Sequence, residues 1–441
     1  MRASTLLDIA ASRRDQRRRD AHIARRGGGI VNGHECLLAV RRREAAAVLH
    51  RSAQALTEFG TPLLVLDPQR VRLQHRRLRA ALPFVRFHYA VKALAHPAVI
   101  DALSDEGGGF DIATSEELAG VLARGVEPGQ IIDTHPVKKP EEIERAMDAG
   151  IRTFVVDSVC ELEKFRGAEG VRLLVRLAYR SPHAGSDLSS KFGVAPSAAR
   201  ALVEHALTVG VPIAGFSFHV GSQLDDARRF AGAVAQTLDL MDELERALPV
   251  RFDVLDIGGG FPVAYDAPVA TLEEVAAAIR PLLEPRAHEL DIIAEPGRIM
   301  VAEAMTLVTS VVGVADRPDG RWYYVDDGLY GSYSNVLTED VHPPVFAVRD
   351  LAARDAGARM IATVAGPTCD SSDVIGRELD LPELAPGDLL VSPVMGAYTS
   401  VTSSRFNGRP PTPIAVLADR PAPVATVPIA PVLQPPPQTV P

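Results

Sequence analysis

Short apolar runs recur between Val85 and Arg298, and each of eight such runs stops at a residue that can take part in chemistry. Most of the stretches between them have the pattern of helices. Near-continuous apolar runs are typical of parallel strands that are buried on both faces. The pattern therefore predicts an α/β fold, a (β/α)8 TIM barrel over residues 68–300. In chain order the runs lead into Lys92, Asp111, His135, Asp157, Arg176, His219, Gly258–Gly260, and Glu295 with Arg298.

Barrels of this kind carry their chemistry at the carboxyl ends of their strands, so we expect Lys92, His219, the run Gly258–Gly260, and Glu295 with Arg298 to share one mouth. Between the strands, the clearest helices are predicted at 140–149, 198–210 and 227–248. The first of these begins with proline and has acidic residues in its first turn, as the helix dipole favours.

The pattern changes after Arg298, where strand-like stretches alternate with turns rich in Gly, Pro and Asp. This texture predicts a C-terminal all-β domain over residues 301–419. Its predicted strands lie at 305–314, 321–328, 358–367 and 387–394. On the other side of the barrel, 44–59 has a helical pattern and 61–67 a strand pattern, and we expect 41–67 to pack with the β domain.

Both ends of the chain have a biased composition. Seven arginines between Arg13 and Arg26 precede a run of three glycines. Such an arm can bind nucleic acid or an anionic surface, or it can be disordered. We expect residues 1–40 to be a disordered basic arm, and the Pro-rich residues 420–441 to be an extended, unpacked tail.

The bulk composition argues against several function classes. The 441 residues are 46% hydrophobic and 23% charged, with a formal net charge of -9, which does not favour nucleic acid. No window approaches the roughly 20 apolar residues that span a bilayer. The three cysteines are odd in number and widely spaced, unlike a disulfide framework or a zinc site. We therefore expect a cytoplasmic protein with no nucleic-acid, membrane or metal partner.

Lys92 is the first candidate for chemistry, because it follows the apolar run FHYAV. A lysine there is costly to bury unless it is paired or functional. Burial lowers the pKa of an amine, which an imine-forming lysine needs. The alternative is an interfacial lysine that extends its ammonium to solvent.

Gly258, Gly259 and Gly260 follow a strand, where they can let backbone N–H groups approach an anion. TIM barrels often place phosphate sites after strands seven and eight, and Arg298 can supply the charged partner. The alternative is a tight strand-to-helix turn without a ligand.

Two further side chains end barrel strands. Glu295 can act as a general base, a metal ligand or the partner of a ring nitrogen. His219 is structural or catalytic, because a single histidine does not decide the matter. The spacing of His219, Glu295 and Asp256 does not make a zinc cluster. In the β domain, Cys369 and Asp370 lie in a Gly/Pro-bracketed loop, and Tyr398 is able to donate a hydrogen bond to phosphate.

Taken together, these residues closely resemble the fold-type III pyridoxal-phosphate decarboxylases of basic amino acids, a group that is related to alanine racemase. The resemblance covers residues 61–408. Its carriers are YAVKA (89–93), GFDIAT (109–114), SKFGV (190–194), FHVGSQ (218–223), DIGGGFP (256–262), AEPGR (294–298), VDDGLYGS (325–332), GPTCDSSD (366–373) and GAYTSVTSSRFNG (396–408).

The resemblance implies pyridoxal 5'-phosphate as cofactor and gives roles to individual residues. Lys92 corresponds to the lysine that bonds covalently to the cofactor, His219 to the residue that stacks on its ring, and Glu295 to the acid that keeps the ring nitrogen protonated. The implied phosphate cradle is Ser222, Gly258, Gly259, Gly260, Gly297, Arg298 and Tyr398. The implied supporting polar network is Asp111, Arg176 and Lys191.

The family also implies a homodimer in which each active site is shared between subunits. The partner contributes the Cys-Asp loop, with Cys369 as proton donor and Asp370 holding the distal amine of an amino-acid substrate. One departure concerns substrate length: where ornithine decarboxylases carry Tyr-Asp at the distal end of the pocket, this chain has Thr338-Glu339-Asp340. We expect Glu339 and Asp340 to contact substrate, and the departure leaves lysine, arginine or a modified diamino acid open beside ornithine.

The activity that this resemblance predicts is decarboxylation of a basic L-amino acid to an amine and CO2. Alternatives on the same scaffold are a racemase-like enzyme and a diaminopimelate decarboxylase. A racemase would need a catalytic tyrosine opposite Lys92, where the loop offers Cys369, and diaminopimelate enzymes typically have Cys-Glu-Ser in place of Cys369-Asp370. A third alternative is a catalytically silent, regulatory homologue, which should have lost the lysine or phosphate ligands that this chain retains.

Overall fold

The structure is a computed structural model that describes residues 31–180, 188–352 and 358–418. The predicted tail, 420–441, and residues 1–30 of the predicted arm lie outside this range. The prediction that residues 31–40 belong to a disordered arm is wrong, because helix α1 (Val31–Arg51) includes them. This helix packs Leu38, Ala45 and Leu49 against the β domain, so it has an apolar face that the charged residues obscured.

The N-terminal elements join the β domain. Helix α2 (Ala53–Phe59) is separated from α1 at Ser52, so the predicted single helix over 44–59 is two helices. Strand β1 (Leu63–Leu66) pairs antiparallel with the long strand β10 (Met305–Arg317) and parallel with the last strand, β16 (Ile414–Val416). The strand predicted over 61–67 is confirmed, and it lies in the second sheet rather than the barrel.

A closed barrel of eight parallel strands forms the centre of the molecule, as the apolar runs predict. Inside it, Ile132, Val155, Leu174, Val254 and Ile293 form one buried layer from five strands. Side chains two residues further along a strand point to the same interior, towards the carboxyl end. The strands are β2 (Val85–Ala90), β3 (Gly109–Ile112), β4 (Ile131–Asp133), β5 (Thr153–Val156), β6 (Arg172–Leu177), β7 (Ile213–Phe218), β8 (Val254–Asp256) and β9 (Asp291–Ala294).

Helices between the barrel strands bury their apolar faces against the barrel, and their starts follow local capping chemistry. Asp67 caps the helix before β2 by accepting the Gln69 N–H at 3.2 Å, and Pro68 opens that helix. All three helices predicted in the barrel are confirmed to within two residues. The barrel helices are α3 (Pro68–Ala81), α4 (Pro97–Ser104), α5 (Ser115–Leu122), α6 (Pro140–Asp148), α7 (Val159–Glu163), α8 (Pro196–Val209), α9 (Ala227–Ala247) and α10 (Leu272–Leu283).

The C-terminal domain is a sheet in the order β12-β15-β10-β11-β13-β14, which β1 and β16 extend from β10. The predicted all-β texture is confirmed, although the short helices in its loops are additional. Its further elements are α11 (Arg298–Val301), β11 (Gly320–Val325), α12 (Ser334–Thr338), β12 (Phe346–Ala347), α13 (Arg349–Ala352), β13 (Arg359–Ala365), β14 (Val374–Pro382) and β15 (Leu389–Ser392).

Among the residues that the structure describes, no helix is both long and apolar enough to cross a membrane. Over the same ranges, no group of three or more His, Cys, Asp or Glu side chains is arranged to hold a metal ion. Cys36, Cys160 and Cys369 are unpaired and exposed.

Candidate active site

A pocket opens where the carboxyl ends of the barrel strands meet the β domain. Strands β2, β7, β8 and β9 lead into most of its walls, and the loops after α12 and β15 close it from the β domain. Its lining residues are Ala90, Lys92, Leu188, His219, Ser222, Gly260, Phe261, Glu295, Gly297, Arg298, Glu339 and Tyr398. Residues from distant parts of the chain therefore share one mouth, as predicted for chemistry at the strand ends.

Lys92 lies in a single 3-10 turn directly after β2 and points towards Asp111 on the neighbouring strand. Its Nζ donates to Asp111 Oδ2 at 3.1 Å, and Asp111 Oδ1 accepts the Thr134 hydroxyl at 2.6 Å. Burial lowers the pKa of Lys92, but the Asp111 and Glu295 carboxylates outweigh burial and the net shift is upward. The expectation of a lowered pKa is therefore wrong, and Lys92 is an ammonium that donates to Asp111.

His219, directly after β7, is a neutral imidazole. Burial lowers its pKa well below the ordinary value, and the nearby cations Arg176 and Lys92 lower it further. Its Nδ1 accepts the Gly221 N–H at 3.0 Å, which leaves Nε2 to carry the proton. A Cβ on Gly259 would lie 3.2 Å from that Nε2 and 2.6 Å from the Glu295 carbonyl. The glycine is thus needed for the histidine and the last strand to come this close.

Glu295 and Asp256 form a buried carboxyl pair at the ends of β9 and β8. Burial raises the pKa of Glu295, and the Asp111 carboxylate adds to the shift. Burial and the adjacent Glu295 raise the pKa of Asp256 well above its usual range. The Gly258 N–H donates to Asp256 Oδ1 at 2.8 Å. Sequence reasoning weighed Asp256 only as a metal ligand and missed this pairing.

Arg298 lies at the end of the pocket where the predicted phosphate cradle converges. Its side chain is only 4% exposed, and it donates to the Tyr265 hydroxyl at 2.8 Å and to Ser222 Oγ at 3.0 Å. The Tyr398 ring lies 5.0 Å from its guanidinium carbon. Its Nε is buried and has no hydrogen-bond partner within the described part of the chain. An unpartnered guanidinium N–H is costly unless an anion accepts it, so this end of the pocket fits a phosphate group.

Close backbone approach shapes the same cradle. Gly260 has a φ of 99°, and a Cβ there would lie 2.3 Å from the Gly221 carbonyl oxygen. A Cβ on Gly297 would meet the Tyr398 hydroxyl at 3.2 Å. The glycine run is therefore required by packing between the loops that follow β7, β8 and β9, whether or not its N–H groups bind an anion.

Glu339 lies at the phosphate end of the pocket, although it was predicted to meet the distal end of a substrate. Its carboxylate accepts hydrogen bonds from Arg298 Nη2 and, at 3.3 Å, from Ser222 Oγ. It follows directly after α12, whose last turn brings it to the barrel mouth. Asp340, the next residue, is exposed and is not part of the pocket lining.

The Cys-Asp loop does not reach this pocket within the same chain. Cys369 is exposed, and neither it nor Asp370 is part of the lining. Asp370 instead accepts a hydrogen bond from the Tyr330 hydroxyl, and Cys369 contacts Asn407.

Two members of the predicted polar network, Arg176 and Lys191, meet on the ring of Phe192, whereas the third, Asp111, pairs with Lys92 instead. The Arg176 guanidinium carbon and Lys191 Nζ lie 5.5 and 4.7 Å from the centroid of Phe192, and the His135 ring makes an edge contact with it at 5.5 Å. None of these four side chains lines the pocket. Asp157 is also not part of the pocket lining, and its carboxylate accepts the Gly193 N–H at 2.9 Å.

Comparisons with known proteins agree with this geometry. The family model for the pyridoxal binding domain of pyridoxal-dependent decarboxylases matches residues 69–302. The lysine/ornithine decarboxylase of Selenomonas ruminantium is 34% identical over 364 residues, covering 82% of this chain and 91% of that relative. Antizyme inhibitor 2 of Xenopus laevis is 34% identical over 375 residues, or 81% of each chain. The solved structure of lysine/ornithine decarboxylase from Vibrio vulnificus, complexed with cadaverine, has a TM-score of 0.78 and 40% identity, and the match covers 84% of this chain and 98% of that one.

Proposed function

Because this chain belongs to the family of pyridoxal-dependent decarboxylases, we propose that it converts a basic L-amino acid of the ornithine, lysine or arginine type into the corresponding amine and CO2. Pyridoxal 5'-phosphate, the cofactor of the family, supplies an electron sink for the electrons that the departing carboxylate leaves behind. The observation that carries the proposal is the unpartnered Nε of Arg298 in the pocket that also holds Lys92 and Glu295.

The lining residues have different proposed roles along the pocket. We assign the phosphate to Arg298, Ser222 and Tyr398, and the covalent attachment of the cofactor to Lys92. We assign to Glu295 the role of keeping a proton at the ring nitrogen, with its buried partner Asp256 beside it. A neutral His219 can lie against the ring without repelling its positive charge. Asp111 is placed to accept the proton that Lys92 must lose before its amine can react.

A basic substrate is supported by one acid away from the phosphate end, Asp370, and by the similarity to decarboxylases of basic amino acids. Asp370 carries a carboxylate on an exposed loop, and the Vibrio vulnificus structure holds cadaverine, a diamine. A cationic substrate terminus needs such a partner, because an unpaired buried charge costs several kcal/mol. We therefore expect ornithine, lysine and arginine to be preferred over the zwitterionic end of diaminopimelate.

We propose further that two chains form a homodimer and that each active site combines the pocket of one chain with the Cys-Asp loop of its partner. The position of Cys369 outside its own pocket supports this. Mixing inactive Lys92→Ala with inactive Cys369→Ala protein should restore part of the activity through hybrid sites. If subunits demonstrably exchange and no activity returns, each site is built within one chain.

The activity itself is tested by measuring CO2 release from ornithine, lysine, arginine and diaminopimelate with the purified, cofactor-loaded protein. Lys92→Ala should abolish release, whereas Lys139→Ala, a matched change at an exposed lysine, should not. Faster turnover of diaminopimelate than of the other three would show that the basic-substrate proposal is wrong.

The similarity to antizyme inhibitor 2 raises a second candidate, a non-catalytic regulator. Against it, Lys92, Glu295 and Arg298 all line one pocket in this chain. A regulator of this kind would release no CO2 from any substrate in the panel, even when titration shows that the cofactor is bound.

A further inference from the structure

Asn407 and Cys369 are joined by two hydrogen bonds, although 38 residues separate them. The Cys369 backbone N–H donates to Asn407 Oδ1 at 3.1 Å, and Asn407 Nδ2 donates to Cys369 Sγ at 3.4 Å. The backbone N–H can only donate, so it fixes which end of the amide is the oxygen. The NH2 group must then face the sulfur.

The backbone around Asn407 is shaped for this contact. Asn407 has φ 55° and ψ 20°, a left-handed conformation that asparagine tolerates better than most residues. Its neighbour Phe406 lies against Tyr330, with ring centroids 4.5 Å apart, and Tyr330 in turn donates to Asp370. Arg409 clamps the two loops by donating to the Pro367 carbonyl at 2.9 Å. The Asn407 side chain is therefore held between two connected loops.

We propose that Asn407 is a positioning residue for Cys369, orienting its sulfur and stabilising the negative charge that the sulfur acquires when it gives up a proton. This inference rests on the proposed function, in which Cys369 is the proton donor. In that step the S–H bond breaks and the proton goes to the substrate carbon from which CO2 has left. The electron pair stays on sulfur, where the Asn407 N–H donates to it, and solvent later returns the proton.

Two substitutions separate positioning of the sulfur from simple support of the loop. Asn407→Gly keeps the left-handed backbone and removes both hydrogen bonds. Asn407→Asp keeps an oxygen to accept the Cys369 N–H, but it places a negative charge beside the sulfur instead of an N–H donor. Both changes are made in the cofactor-loaded protein with Cys36→Ser and Cys160→Ser, because those two cysteines are also exposed.

The first readout is the rate at which iodoacetamide alkylates Cys369 at fixed pH, which follows the thiolate fraction. Losing a hydrogen bond to a charged sulfur should slow alkylation by about three- to tenfold in Asn407→Gly, and an adjacent carboxylate should slow it more in Asn407→Asp. If Asn407 only supports the loop, the order reverses, because Asn407→Asp keeps the bond to the backbone. That reversed order, or equal rates in all three proteins, overturns the proposal.

The second readout is steady-state decarboxylation of the best substrate. The kcat should fall from the parent protein to Asn407→Gly and further to Asn407→Asp. KM should change little, because Asn407 contacts the cysteine rather than the substrate. The variant Cys369→Ala separates the proton-donor role of Cys369 from the positioning role of Asn407. If Cys369→Ala has wild-type kcat, the proton-donor role fails whatever the alkylation rates show. If it is impaired while both Asn407 variants keep wild-type kcat, only the role of Asn407 is refuted.

Discussion

Replacing Glu339 with glutamine tests the most unexpected contact in the pocket. The Glu339 carboxylate accepts hydrogen bonds from Arg298 and Ser222, two members of the predicted phosphate cradle. A phosphate that uses the same donors must displace this carboxylate or lie beside it against charge repulsion. Glu339→Gln keeps the size of the side chain and removes the competing charge, so we expect it to bind pyridoxal phosphate more tightly.

The size of the effect follows from burial. The Arg298 side chain is 4% exposed and that of Glu339 is 19% exposed, so solvent screens this pair little. The glutamine still accepts a hydrogen bond from the charged Arg298, but the attraction between two opposite charges is lost, so the bond that the phosphate must displace is weaker. Displacing this weaker bond costs the phosphate on the order of 1.4 kcal/mol less, which lowers the dissociation constant of the cofactor about tenfold. The thermal midpoint of the cofactor-free protein should fall, since Arg298 loses its counter-ion.

The assay is an equilibrium titration of cofactor-free protein with pyridoxal phosphate, followed by visible absorbance. Glu273→Gln is the matched control, because Glu273 pairs with Arg77 on the surface and its loss changes the net charge equally. Weaker cofactor binding by Glu339→Gln would refute the reasoning and show that Glu339 holds Arg298 in place for the phosphate. A higher KM for the cationic substrate would show that Glu339 also contacts the substrate, as the sequence predicts.

Three further outcomes are expected. Lys92→Ala should abolish the visible absorbance of the bound cofactor, and borohydride labelling at another lysine would contradict the assignment. Glu295→Gln should lower kcat far more than cofactor affinity, because a neutral amide cannot keep the ring nitrogen protonated; unchanged turnover with lost cofactor would make Glu295 only a binding residue. Burial lowers the pKa of His88 to about 4. Because the folded pKa of His88 lies below the unfolded value, its contribution to the free energy of unfolding is fully present above about pH 6.5. That free energy falls as the pH drops, by roughly 2 kcal/mol at pH 5. Denaturation across this range should show a shallower pH dependence in His88→Leu, and an unchanged slope would mean that other groups cause it.

Much of the fold could be predicted because it depends on local patterns. Continuous apolar runs separated by helical stretches predict a parallel barrel, and the geometry of such barrels brings the strand ends together. Lys92, His219, Glu295 and Arg298 line one pocket for that reason. Where the local signal was mixed, prediction failed: the arginine-rich start concealed the apolar face of α1, so residues 31–40 were wrongly expected to be disordered.

The contacts inside the site depend instead on residues that are far apart in the chain. Nothing in the sequence around Glu339 shows that its carboxylate lies against Arg298, and nothing around Lys92 shows that two carboxylates outweigh the effect of burial on its pKa. Asn407 and Cys369 are likewise joined only by the meeting of two loops. Local periodicity was enough to predict the barrel strands, most of the helices and the residues at the barrel mouth, because it acts over a few neighbouring residues. The pairing of charges in the site could not be predicted in this way, because electrostatic and hydrogen-bond partners are set by distances of a few ångströms between elements that packing brings together.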